Sequence, residues 1–325
     1  MRTVFVTGGA GYVGSHSCKA FAEAGWRVVV FDDLSRGYRD LVRWGELIEG
    51  DLNDSEALKA ALAKANPDVV AHYAAFASVP ESMRDPSTYY SINVEGTRAL
   101  LDAMRASDVK QLVFSSSCAT YGVHSELITE ETRQSPINPY GATKMVGERM
   151  IEDFGVAYGM RSVILRYFNA AGADAALETG ERNTHDPRVI PLAIKGAMDG
   201  GFTFTIFGEK LDTRDGTCVR DYVHVTDLAD AHLRALGWLD AGRESQVFNL
   251  GTGVGTSVKE LADAVERISG GKITRKIAPP RGGDPPSLVA SAAKAERVLG
   301  WKPQHSSIDN IIRTAWAWAE KDRAR

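Results

Sequence analysis

Cysteine is scarce in this chain, with three residues, Cys18, Cys118 and Cys218, among 325. They stand far apart and form no C-x-x-C pair, which excludes a disulfide framework and leaves no metal site to expect. Long apolar runs are also missing, and the longest fall far short of the about 20 residues needed to cross a bilayer. There is no basic tract, and the formal net charge of −4 gives no overall attraction to nucleic acid or to an anionic membrane. No repeat or low-complexity stretch occurs. Met1-Arg2 run straight into an apolar segment, leaving no room for a secretory leader. What remains is a reduced, cytoplasmic enzyme or binding protein. The 44% apolar and 25% charged residues are those of a globular protein, and the length calls for one large or two fused domains.

The most informative stretch is Thr7-Gly8-Gly9-Ala10-Gly11-Tyr12-Val13-Gly14, directly after Val4-Phe5-Val6. It reads as a buried strand, a tight turn and the start of a helix. Gly8 permits the turn, Gly11 lets backbone approach a pyrophosphate, and Gly14 allows close helix–strand packing. The helix N-terminus offers free amides to phosphate. A second apolar run, Val28-Val29-Val30-Phe31, ends in Asp32, about twenty residues after the glycines, where a ribose-binding acid belongs. A carboxylate there accepts both ribose hydroxyls and repels a 2′-phosphate, so the expected cofactor is NAD rather than NADP. Arg36 nearby is a guanidinium that could hold a phosphate, but it leaves the Asp32 charge in place.

Strand and helix patterns alternate through the first half. Strands are expected near 46–49, 68–72 and 111–115, and helices over 55–64 and from Asn93 to Met104. Asp51 and Leu52, after the third strand, are placed beside the adenine, although Asp51 would equally cap the next helix. Such alternation requires parallel strands joined by crossover helices, a doubly wound α/β sheet of the Rossmann type. After about Asn169 the pattern loosens into glycine-rich and polar segments, with strands at 203–207 and 246–250 and Pro-rich loops around Arg281-Gly282-Gly283-Asp284. The expected division is a dinucleotide-binding domain over 1–170 and a smaller C-terminal α/β substrate domain over 171–325, with interleaving segments.

Chemistry concentrates at the fifth strand and the helix after it. The strand ending at Ser115 runs into Ser116-Ser117-Cys118, which puts hydroxyls at the carboxyl end of a parallel strand, where ligands bind in this architecture. Asn138-Pro139-Tyr140-Gly141-Ala142-Thr143-Lys144 then opens a helix, and Tyr140 and Lys144 share one of its faces. A phenol with a pKa near 10 is too weak a base at neutral pH, but an ammonium one turn away and an oxidised nicotinamide favour the phenolate.

With these motifs in this order, the chain resembles the extended short-chain dehydrogenase/reductases, and within them the sugar-nucleotide 4-epimerases, over nearly its whole length. Tyr167-Phe168-Asn169-Ala170-Ala171-Gly172 and Asp215-Gly216-Thr217-Cys218-Val219-Arg220-Asp221-Tyr222 are the most specific supports. The resemblance implies interconversion of UDP-glucose and UDP-galactose through a transient 4-keto sugar. Tyr140 would be the base, Ser117 would bond the same sugar oxygen, and Lys144 would hold the nicotinamide ribose. It further places Tyr12, Val13, Asp33, Ala74, Asn93, Ser115 and Tyr167 at the cofactor. Asn169, Val189, Arg220, Arg281, Asp284 and Leu288 fall at the UDP-sugar, and a homodimer is implied. Leu288, where a tyrosine would crowd a 2-acetamido group, implies room for UDP-N-acetylglucosamine. Three positions depart from the family pattern: Ala77 replaces a lysine that touches the cofactor, Arg36 an asparagine, and Arg188 a small amide or histidine near uridine. A dehydratase would need an acid directly after Ser117, where Cys118-Ala119-Thr120 stand. A uronic acid epimerase or decarboxylase would need an extra cation. A non-catalytic NAD-binding protein could dispense with Ser117, Tyr140 and Lys144.

Overall fold

Strands rich in Val, Ile and Phe carry the centre of the computed structural model, which describes residues 1–124, 126–182 and 188–324. β1 (Thr3–Thr7) is buried throughout, and β2 (Arg27–Asp32) almost so. β3 (Glu46–Glu49), β4 (Val69–His72), β5 (Gln111–Ser117) and β6 (Arg161–Tyr167) follow. β7 (Asn169–Ala171), β8 (Thr203–Phe207) and β9 (Val219–His224) leave this sheet, but β10 (Gln246–Leu250) returns to it. The order is β10-β6-β5-β4-β1-β2-β3, with every pair parallel. The strand order reverses between β1 and β4, so a crevice opens at their carboxyl ends.

Helices cover both faces: α1 (Tyr12–Glu23), α2 (Ser55–Ala65), the short α3 (Val79–Arg84) and α4 (Pro86–Tyr90), α5 (Gly96–Ala106) and α6 (Pro139–Tyr158). The helix expected from Asn93 to Met104 is interrupted at its start. Ser91–Glu95 forms a π turn between α4 and α5, a local widening that recurs at functional sites. Asn138 caps α6 by accepting from the Gly141 amide at 2.8 Å, and Gly159 ends it in the left-handed region.

The rest of the chain builds a second layered unit. α7 (Val189–Met198) and α8 (Val225–Asp240) alternate with the strands named above; α9 (Val258–Ser269) and α10 (Ile308–Arg323) come later. β11 (Gly255–Ser257) pairs antiparallel with β9, while β7 and β13 (Ser287–Leu288) pair parallel with it. β12 (Thr274–Ala278) pairs with β8. α8, although late in the chain, contributes Leu228, Ala231, Ala235 and Leu236 to the same core as β1, α1 and β10. Residues from the second half therefore complete the large sheet and cover one of its faces.

Candidate active site

The glycine turn is shaped by contacts that admit no side chain. Gly8 has φ +74°, and a Cβ there would lie 2.5 Å from the Ala74 amide nitrogen. A Cβ on Gly14 would lie 2.2 Å from the Gly8 carbonyl. Gly11 is the N-cap of α1 and brings no side chain to its first amides, which leaves them for an anionic ligand. Asp32 is buried at the end of β2. Its Oδ2 accepts from the Ala10 amide at 3.0 Å and its Oδ1 from the Leu34 amide at 2.9 Å. Burial raises the Asp32 pKa, and the two amides oppose that shift. Glycine cradle, open helix terminus and an acid at the end of β2 together fit a dinucleotide.

One crevice lies over this cradle. Gly8, Gly11, Tyr12, Val13, Gly14, Asp32, Asp33, Asp51, Leu52 and Ala74 line it. So do Ser117, Tyr140, Tyr167 and Asn169, and with them Arg220, Asp284 and Leu288. Most of the residues expected from sequence thus share one cavity. The strand register brings Leu288 and Arg220 together. β13 pairs with β9 so that Leu288 lies opposite Arg220, and the Arg220 guanidinium stands 3.5 Å from Asp284 Oδ1. Asn138 Nδ2 donates to the Gly283 carbonyl at 3.3 Å and ties this loop to the start of α6.

Tyr140 is 8% exposed. Burial pushes its phenol well above the ordinary value, the neighbouring Tyr167 adds to this, and a hydrogen bond with Ser117 works the other way. Lys144 is buried one turn on, its Nζ donating to the Ser115 carbonyl at 2.8 Å and lying 4.9 Å from the Phe114 ring centroid. Burial lowers its pKa to about 7, with Glu148 opposing. In the protein by itself, burial is therefore the largest influence on both groups and favours their neutral forms. The phenolate expected from sequence needs further positive charge in the crevice.

Five expected contacts lie outside the lining: Lys144, buried as described above, and the four that follow. Asn93 is buried in the π turn and spends its side chain on the protein. Its Oδ1 accepts from the Phe76 amide at 2.8 Å, and its Nδ2 donates to the Phe76 carbonyl and to Thr143 Oγ1. Ser115 Oγ turns inward to His232 Nε2 at 3.0 Å, and its carbonyl accepts from Lys144 Nζ. Val189 opens α7 and packs against the core formed by Ile194, Phe204, Leu261 and Ile311. Arg281 is exposed and stacks on Phe207, 3.7 Å from guanidinium carbon to ring centroid.

Other lining residues carried no single-residue signal in the sequence. Tyr38, Phe76, Glu181 and Arg182 belong to loops after strand ends, where any polar or aromatic residue reads as surface. Arg188 lines the crevice too, 4.8 Å above the Tyr12 ring, donating to Glu181 Oε1 at 2.6 Å. The segment 172–182 straps the crevice. Tyr38 donates to the Arg182 carbonyl, and Arg182 pairs with Asp40 at 2.8 Å and with Asp322 of α10 at 2.6 Å.

Comparison with known proteins agrees with this geometry. The model of the NAD dependent epimerase/dehydratase family matches residues 4–251. A UDP-glucose 4-epimerase of Rhizobium meliloti (strain 1021) is 48% identical over 318 residues, 98% of this chain and 97% of that protein. The crystal structure of UDP-glucose 4-epimerase from Brucella ovis in complex with NAD is similar at TM-score 0.94 and 46% identity, over 98% of both chains. That of UDP-glucose 4-epimerase from Bifidobacterium longum in complex with NAD+ and UDP is similar at TM-score 0.94 and 36% identity, over 99% of both. Cradle, the Tyr140–Lys144 helix and full-length kinship lead to one assignment: this chain belongs to the NAD dependent epimerase/dehydratase family.

Proposed function

We propose that the protein is an NAD-dependent 4-epimerase that interconverts UDP-glucose and UDP-galactose. The observation that carries this reading is that Ser117 and Tyr140 line the same crevice as a dinucleotide cradle and the Arg220–Asp284 pair. Bound NAD supplies the reversible hydride acceptor for carbon 4 of the sugar. Tyr140 accepts the proton of the 4-hydroxyl and later returns it, while Ser117 hydrogen-bonds the same oxygen. Because burial holds the Tyr140 phenol neutral in the protein alone, its ionisation relies on the Lys144 ammonium and on the cationic cofactor ring.

Inverting carbon 4 requires the keto sugar to present its other face, so the nucleotide must stay anchored while the sugar turns. Arg220 is suited to a diphosphate oxygen and Asp284 to the uridine ribose. Asn169 borders the sugar, and Arg281, on the loop beside Asp284, is read as a second phosphate clamp. Leu288 is buried beside Arg220 and lacks the reach of a tyrosine. We read this as room for a 2-acetamido group, hence activity on UDP-N-acetylglucosamine as well. No helix among the described residues is long and apolar enough to cross a membrane. We read the enzyme as a cytoplasmic homodimer, in keeping with free thiols at Cys18, Cys118 and Cys218; light scattering on the eluting protein checks the dimer. The deciding assay mixes purified protein with UDP-galactose, without added NAD, and looks for UDP-glucose. No conversion, with or without added NAD, overturns the function.

A further inference from the structure

Arg36 lines the cofactor crevice, and Glu81 follows Ser78 and Val79, which line it too. Arg36 lies in the loop after β2 and Glu81 in α3, after β4. β1 and its glycine turn lie between those strands in the sheet. Arg36 donates from its NH2 to Glu81 Oε1 at 2.6 Å, and its guanidinium carbon sits 4.2 Å from the Phe76 ring centroid. Arg36 and Phe76 both line the crevice. We propose that the Arg36–Glu81 pair, seated on Phe76, is a latch that joins these two segments across the bound dinucleotide and sets the rate at which NAD leaves. This rests on the NAD-binding reading above.

Both sides of the latch are anchored. The loop carrying Arg36 is tied down by the Leu34 amide on Asp32 at 2.9 Å, the Ser35 amide on Asp33 at 2.9 Å and the Tyr38 amide on the Ala10 carbonyl at 3.0 Å. Gly37 makes the close approach possible, since a Cβ there would lie 2.8 Å from Asp32 Oδ1. Opposite, Glu81 Oε2 accepts from the Tyr89 hydroxyl at 3.0 Å, and that hydroxyl accepts from the Ser78 amide at 2.9 Å. The Tyr89 ring in turn meets Tyr140 edge-on, with centroids 6.4 Å apart. A guanidinium stacked on one side and paired on the other is held in place before any ligand arrives, so closing it adds little ordering cost. The pair is about a quarter to a third exposed, so it can open without breaking the core.

The test loads the protein with NADH, chases with excess NAD and follows nicotinamide fluorescence. Arg36→Ala and Glu81→Gln should each speed NADH release by about tenfold or more, and the double variant should be no faster than the faster single. Glu81→Gln is nearly isosteric and preserves the Tyr89 contact, so it reports even if Arg36→Ala folds poorly. Unchanged release in either variant, or additive effects in the double, overturns the latch; a fast Arg36→Ala with a wild-type Glu81→Gln would mean a lone cation acting on the cofactor. Failure of the underlying reading looks different, because wild type would then bind no NADH at all.

Discussion

The cofactor and substrate sides proposed for the crevice are built by opposite strategies. The proposed cofactor side is backbone: three glycines, an uncapped helix terminus and one acid, all within Gly8 to Asp32. The proposed substrate side is side chains gathered from afar, with Arg220, Asp284 and Leu288 joined through the β9–β13 register. A backbone cradle tolerates almost no change at its glycines but binds any ligand with the same phosphates. A side-chain clamp can be retuned residue by residue. The lesson is that one cavity can hold a rigid backbone cradle and an adjustable side-chain clamp at separate structural addresses.

The sharpest way to separate the two sides is to remove the chemistry they serve. Tyr140→Phe is expected to lower kcat by about 10²- to 10⁴-fold while nucleotide content and melting temperature stay near wild type. A near-normal rate would rule out Tyr140 as the base. Breaking the cofactor side comes next. Gly14→Val drives a side chain into the Gly8 carbonyl, so NAD content should collapse and stability fall by about 1–3 kcal/mol. Retained NAD would show that the cradle yields more than its contacts allow. On the substrate side, Arg220→Met should raise the KM for UDP-galactose by about 10- to 100-fold, since charge-assisted hydrogen bonds contribute about 1.5–3 kcal/mol. NAD content should be untouched. Leu288→Tyr is narrower still. It should reduce kcat/KM for UDP-N-acetylglucosamine relative to UDP-glucose by about 10- to 200-fold. Equal losses on both sugars would remove Leu288 as the gate.

The smallest effect concerns Lys144, whose pKa burial lowers to about 7 against about 10.4 unfolded. Between those values the unfolded chain binds more protons, so this group makes stability rise with pH over that window. Below pH 7 its cost is fully present. The melting temperature of NAD-free wild type should therefore gain on that of Lys144→Met between pH 7 and pH 9; parallel curves would show that Lys144 keeps its proton in the fold.

What could be read from sequence follows the same division. Gly8, Gly11, Gly14 and Asp32 carry their meaning in local spacing, and so do Tyr140 and Lys144 on one helix face. Arg220 and Asp284 were legible only through family resemblance, because nothing local brings residues so far apart together. Asn93 and Ser115 resemble ligand contacts in sequence, yet the fold turns their side chains onto Phe76 and His232. Arg281 reads as a phosphate clamp, but stacking on Phe207 competes for its guanidinium. The Arg36–Glu81 pair was invisible, since it depends on two loops facing each other across β1. The π turn at 91–95 has no signature apart from its tertiary partners.

The late arrival of β10 has a consequence during synthesis on the ribosome. When residues 1–170 have emerged, every element of the glycine cradle exists, yet β6 is an unpaired edge. The face that α8 will cover is still bare. An open, apolar edge strand is a template for association with other chains. The nascent protein must hold that edge unpaired until Gln246–Leu250 leave the exit tunnel, so the cofactor half gains its final stability only when most of the substrate half has been made. Premature termination within that interval should give a sticky fragment rather than a small working nucleotide-binding domain.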